Sequence, residues 1–258
     1  MAHALLTIGC MEVSLYSAAA AMNATEKWQD MLAQNLATAP MIGGRKHSIS
    51  FSSVDAGLAG SPLGEGGSNY VMPLASTSVS FQQGDLKPGG PNDYALQGAG
   101  FFTVQLPTGQ KAYTRDGEFE WNSQGQLVTK QGYTVMSDSG PVQKDPVNTS
   151  PVTISATGEI SQGVDAKGKL QVVDFNNPQQ LAVGSNGYFF ANDPGMIAAP
   201  VASTKITAGF LESANTSPTL EMSGLITAMR MFETNQKVMS MQNDRMTKTI
   251  ADLGAPPS

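Results

Sequence analysis

The sequence predicts a mainly β chain with two long terminal α-helices: a glycine-rich β domain plus a helical domain of coiled-coil type made by the two ends. Three observations predict it. Residues 43–209 hold 24 of the 27 glycines and most of the prolines, whereas 3–39 and 219–253 each hold one glycine and no proline. Glycine and proline punctuate turns and are kept out of helix interiors. Both ends carry apolar residues at alternating steps of three and four. The middle shows short alternating runs separated by turn dipeptides.

At the N-terminus the three–four stepping selects Ile8, Met11, Leu15, Ala18, Met22, Thr25, Gln29, Leu32 and Leu36. A 3.5-residue repeat held over about four heptads is the pattern of a coiled-coil seam. Residues 1–42 are expected as this helix, paired with 212–258, and residues 43–80 as a linker or extended segment. The β domain is expected over 81–211. Within it PTG, DG, NSQG and KQG divide residues 101–136, and Asp116-Gly117 is expected as a hairpin turn at positive φ. Phe102, Val104 and Leu106 alternate, as do Phe119 and Trp121. Further strands are expected at 152–154, 170–175, 188–190 and 205–211, a spacing that favours an antiparallel barrel or sandwich over βαβ units. The C-terminal seam runs Met222, Leu225, Met229, Phe232, Gln236, Met239, Asn243, Met246, Ile250 and Leu253, on a helix about 50 Å long at 1.5 Å per residue. Glu233 and Lys237 form an i,i+4 pair outside the seam. Polar Thr25, Gln29, Gln236 and Asn243 within the seams are the kind that fix register, and methionines adapt to non-identical neighbours. Pairing of the two helices inside one chain and burial in a larger assembly both fit the pattern.

The composition excludes several function classes. The charged fraction is 14% and the formal charge −6, with no basic run to suit nucleic acid. Arg45-Lys46 beside His47 is the longest basic cluster and is expected as a solvated loop. One cysteine (Cys10) and two histidines (His3 and His47) leave no disulfide, no CxxC metal site and no histidine-based catalytic set. No apolar run reaches the roughly 20 residues that span a bilayer. GVDAKGKL (163–170) approximates a phosphate loop, but Leu170 stands where a Ser or Thr would bind Mg²⁺ and a strand follows, so it is expected as a hairpin turn. No cofactor, metal or catalytic residues are expected. The N-terminus lacks the basic stretch of a cleaved secretion signal, and Glu12 interrupts its apolar run.

Four blocks resemble the flagellar basal-body rod and hook protein family, specifically its rod members. They are Gln34-Asn35-Leu36-Ala37 at the end of the first helix, FQQGDLKPGGPNDYALQGAGFFTV (81–104), AYTRDGEFEWNSQGQLVTKQGY (112–133), and Gly209-Phe210-Leu211-Glu212-Ser213-Ala214-Asn215. With the helix that the first block ends and the helix that the last one opens, the resemblance runs from Met11 almost to the chain's end. After Asn35-Leu36-Ala37 the chain departs from the family's pattern, with Thr38, Met41 and Gly44 standing where the family has its second Asn, its Thr and its aromatic before Arg45, which puts the family's usual turn in question. Both distal-rod and proximal-rod types fit, the length leaning to the first and MFETNQKVMSMQNDRM (231–246) to the second. Alignment at Asn35 places the family's starting methionine at Met11.

The resemblance implies a structural protein, not an enzyme: a helical homo-oligomer that builds the torque-transmitting shaft. It implies partners among other rod and hook proteins and the surrounding ring proteins. It also implies export by the flagellar type III apparatus without a cleaved signal, into a rod that spans the periplasm. The assembly interface is expected at Leu15, Met22, Leu32, Asn35, Leu36, Met222, Leu225, Met229, Phe232, Gln236, Met239, Asn243, Met246 and Ile250. The competing reading is a surface lipoprotein or adhesin with a helical stalk, anchored through Cys10 in LTIGC.

Overall fold

The structure, a computed structural model, describes residues 2–56, 70–191, 196–200 and 204–254, with side chains described for 17–52, 76–191, 196 and 204–251. The chain divides into two units. One comprises Met1–Leu36, His47–Ser78 and Pro218–Ser258, the other Ala37–Lys46 and Val79–Ser217. The chain is mainly β with two helices, α1 (Ala2–Thr38) and α2 (Pro218–Gly254). Pro40 lies just beyond α1, and Pro218 occupies the first position of α2, where its missing N–H would be unpaired in any case.

In the first unit the helices are accompanied by β1 (His47–Ala56) and β2 (Tyr70–Val79), which pair with each other. These strands occupy most of the segment expected as extended. The cysteine and methionine at positions 10 and 11, and Leu15, lie on α1 outside the residues whose side chains are described.

The second unit holds the remaining strands. They are β3 (Leu86–Pro88), β4 (Tyr94–Gln97), β5 (Phe101–Gln105), β6 (Lys111–Thr114), β7 (Phe119–Trp121), β8 (Leu127–Thr129), β9 (Thr134–Ser137) and β10 (Gly140–Pro141). After these come β11 (Val152–Ile154), β12 (Glu159–Gln162), β13 (Asp165–Lys169), β14 (Val172–Phe175), β15 (Ala182–Val183), β16 (Tyr188–Phe190), β17 (Ile197–Pro200), β18 (Lys205–Ala208) and β19 (Phe210–Glu212). The main sheet is ten-stranded, with the path β15-β16-β6-β5-β9-β8-β7. The strand β5 is buried on both faces rather than one. Phe102 and Val104 enter a core with Leu96, Phe119, Leu127, Val135 and Ile160, while Phe101 enters a second core with Tyr113, Phe175 and Phe189. A strand covered on both sides reads as a near-continuous apolar run, as FFTV does with Thr103 its one polar residue.

Most turns lie where glycine places them. Gly109, Gly125 and Gly132 have positive φ between β5–β6, β7–β8 and β8–β9. The 163–170 segment is a hairpin, with Gln162 opposite Asp165 and Gly163 at φ +66°. Gly209, at φ +76°, splits the expected 205–211 strand into β18, paired with β4, and β19, paired with β3. Asp116-Gly117 corrects the expectation. It joins β6 to β7, which do not pair with each other, and Gly117 is not among the positive-φ residues. Its glycine is required for a different reason: a Cβ there would stand 1.6 Å from the Tyr94 carbonyl oxygen, and Tyr94 N donates to Gly117 O at 3.0 Å.

Candidate functional site

The helices define the first candidate surface. Along α2 a buried or half-buried stripe runs Glu221, Leu225, Ala228, Phe232, Asn235, Met239, Gln242, Met246 and Thr249, with Gly224 and Val238 half-buried at its edge. The steps alternate between four and three. On α1 a run at the same spacing is Ala18, Ala21, Thr25, Trp28, Leu32 and Asn35, with Ala24 and Met31 buried beside it. Leu32, Met31 and Ala228 form a small core with Trp28, Ile49 and Leu225 against it. Gly224 admits the close approach, since a Cβ there would lie 3.1 Å from a Leu32 methyl carbon. Asn235 donates to Thr25 Oγ1 at 3.5 Å.

Half of the expected seam lies in this stripe and the other half lies one position to its side. Leu225, Phe232, Met239, Met246 and Leu32 lie in it, whereas Met222, Met229, Gln236, Asn243 and Ile250 are exposed one position along. Met22 and Leu36 are half-buried beside the α1 run. At about 100° per residue, Met222 and Met229 border the α2 stripe on one side, with Ile226 further round towards the far face. Met231 borders it on the other, with Leu220 and Met241 further round, all of them exposed. Arg230, Lys237 and Asp244 lie opposite the stripe. The helix therefore has one covered face and two uncovered apolar shoulders.

Asn35 anchors the end of α1. Fully buried, it accepts from His47 N at 2.7 Å through Oδ1, and donates through Nδ2 to His47 O at 2.8 Å and to Glu221 Oε2 at 3.2 Å. Its amide thus pairs with one residue of β1 as a neighbouring strand would. Glu221 also sits in the first turn of α2, where the helix dipole favours a carboxylate.

A second network lies in the β unit. Glu212 is fully buried between two arginines, with Arg45 Nη1 at 2.8 Å from Oε1 and Arg115 Nη1 at 3.1 Å from Oε2. Gly84 N adds a hydrogen bond to Oε1 at 3.0 Å. Arg45 further donates to Gln82 O at 2.6 Å, and Arg115 to Gly98 O at 2.8 Å, with its guanidinium 5.3 Å from the Phe101 ring centre. Burial pushes the Arg115 guanidinium below its ordinary pKa, opposed by the Glu212 charge. Backbones crowd this cluster. A Cβ on Gly84 would lie 2.1 Å from Ser213 O, and one on Gly43, at φ +65°, 2.6 Å from the Arg115 carbonyl carbon. Asn215 completes it, accepting from Lys46 N at 2.7 Å and donating to Ser80 O and Gln82 O at 3.0 and 2.9 Å. Arg45 is therefore no solvated loop residue. A buried arginine needs a carboxylate partner, and its partner lies 167 positions away in sequence.

Residues 95–162 match the model of the flagellar hook protein FlgE/F/G D1 domain, and residues 207–253 that of the flagellar basal body rod FlgEFG protein C-terminal region. The chain is 30% identical to the flagellar basal-body rod protein FlgF of Mesorhizobium japonicum, over 95% of this chain and 99% of that protein. It is 31% identical to FlgF of Caulobacter vibrioides over the same shares, and 30% identical to the rod protein FlgG of Borreliella burgdorferi over 90% of this chain and 96% of that one. The chain belongs to the flagellar basal-body rod protein family. It is a structural subunit of that family and not an enzyme, and nothing among these relatives supports the lipoprotein or adhesin reading.

In this rod-family chain the blocks that carry the resemblance are the ones whose polar residues meet. Gln82 and Gly84, Arg115, Glu212 and Asn215 come from three of the blocks and share one network, and Asn35 from the remaining block makes its own. Among the described residues no group of three or more His, Cys, Asp or Glu is placed to hold a metal, and no helix is long and apolar enough to cross a membrane. Sequence reasoning missed Arg45; the signal available was Gly43-Gly44 immediately before it, a pair that marks close backbone packing.

Proposed function

We propose that the chain polymerises helically into the rod, with α1 and α2 paired as a coiled coil and the shoulders of α2 meeting neighbouring subunits. The observation that carries this reading is the pair of exposed apolar shoulders on either side of an already covered stripe. Two unlike shoulders suit a heterologous contact, which repeats into an open helix instead of closing on a two-fold axis. Leu225, Phe232, Met239, Met246 and Leu32 hold the helices to each other, with Asn35 fixing the end of α1 and Leu15, Met22 and Leu36 extending the same surface. Met222, Met229, Gln236, Asn243 and Ile250 then face other subunits. Residues 1–42 and 212–258 form the assembly domain, 43–80 the segment leading out of it, and 81–211 an outer β domain that stiffens the shaft. Other rod and hook proteins are the axial neighbours and ring proteins surround the shaft. The subunit travels through the flagellar type III exporter without a cleaved signal into a rod that spans the periplasm.

The test is a double substitution, Met222→Asp with Met229→Asp. The variant is expected to be exported and to keep the parent β domain by near-ultraviolet circular dichroism, yet to be absent from purified basal bodies and to leave cells non-motile. Normal motility with normal incorporation would overturn the role of the shoulders.

A further inference from the structure

We propose that Met222, Met229, Met231 and Met241 make α2 a peroxide-sensitive surface: oxidation before assembly bars the subunit from the polymer, and assembly shields it from oxidation. The proposal rests on the reading of the α2 shoulders as the contact surface. The four side chains are 53%, 50%, 49% and 57% exposed, whereas Met31, in the small helical core, is 6% exposed. Thioether oxidation follows access, because the peroxide must reach the sulfur. The sulfur lone pair attacks a peroxide oxygen, an S–O bond forms as the O–O bond breaks, and the peroxide is reduced by two electrons to water. The product sulfoxide is polar and a strong acceptor. In solution it is hydrated, but against an apolar neighbour it is buried without a donor, which disfavours the contact. No carboxylate, histidine or thiol is needed, so the response depends on exposure and packing alone.

Three measurements on the full-length chain test this. Soluble protein treated with dilute hydrogen peroxide and analysed by peptide mass spectrometry is expected to form sulfoxide at these four positions roughly tenfold faster than at Met31, following exposure; equal rates would overturn the proposal. Basal bodies containing the chain are then treated identically, and the four positions are expected to react several-fold more slowly than in the soluble chain. If the chain is present in basal bodies and its methionines oxidise as fast as before, the shielding is wrong although the rod reading stands. If the chain is absent from basal bodies, the rod reading itself fails. Finally, the fourfold Met→Leu variant, which keeps apolar volume, is expected to incorporate normally, and the fourfold Met→Gln variant, polar like the sulfoxide, to incorporate at least tenfold less. Equal incorporation of the two variants would overturn the link between sulfur polarity and assembly.

Discussion

The β unit and the helical unit solve the burial problem differently. In the β unit Phe101 to Val104 are buried on both faces of the central strand, and two aromatic clusters close around them. Its buried charges have partners close by. In the helical unit the described core comprises Met31, Leu32 and Ala228 with three neighbours, while Leu220, Met222, Ile226, Met229, Met231, Met241 and Ile250 remain exposed on α2. Within a single chain the β unit thus encloses the larger core, with Val147, Val164, Val183 and Phe210 its exposed apolar residues. Most helical stability comes from packing of an apolar face, and on α2 exposed apolar residues flank the face that is covered here.

The largest test of this contrast is Glu212→Ala. It leaves Arg45 and Arg115 buried without their carboxylate, and loss of one partner from a buried ion pair destabilises by about 3–5 kcal/mol. Denaturant unfolding followed by Trp121 fluorescence in a Trp28→Phe background is expected to show that loss; a change under about 1 kcal/mol would mean the cluster behaves like a surface pair. Gly117→Ala comes next. The added methyl meets the Tyr94 carbonyl oxygen, and overpacking of this kind costs about 1–3 kcal/mol, read as a lower unfolding midpoint of the β unit with unchanged helix signal.

Asp116→Asn sharpens the contrast through pH. Burial raises the Asp116 carboxyl from 3.8 to about 6, against the hydrogen bond it accepts from Glu118 N. Folding therefore favours the protonated acid. This group's stabilising contribution is complete below pH 3.8 and is lost as pH rises through about 6, a loss of at most about 3 kcal/mol by neutral pH. Asparagine keeps the acceptor and loses the charge. The variant is expected to be more stable than the parent at pH 7, with the difference vanishing towards pH 4; a pH-independent difference would exclude this origin. The smallest effect is expected in the helical unit. Met222→Leu with Met229→Leu alters exposed positions and should change stability by less than about 0.5 kcal/mol. A larger loss would mean that the shoulders are already covered in the single chain.

Local chemistry made much of the fold legible in advance. Gly109, Gly125 and Gly132 mark turns because each needs a backbone conformation that other residues avoid. The strands Val152–Ile154 and Tyr188–Phe190 lie where alternation placed them, and the absence of proline and near-absence of glycine marked both helices. The stripe covered within the chain was legible only to within one residue. Met222 and Glu221, or Met229 and Ala228, are about 100° apart on the helix, and the more apolar of each pair drew the reading although the smaller or charged residue is the one covered. Gly224 and Ala228 are covered because α1 must approach closely, a demand that hydrophobicity does not report.

By itself, then, the sequence determined the order of the elements, most of their turns, and the family, since these depend on residues within a few positions of one another. Only the tertiary structure decided that Arg45 is buried, that Gly117 is needed for a carbonyl and not for a turn, and which stripe of α2 is covered. Each of those depends on an atom contributed from far along the chain, Glu212 for Arg45, Tyr94 for Gly117 and Leu32 for Gly224. Burial and charge pairing are set by what the fold brings near, which no window of sequence contains.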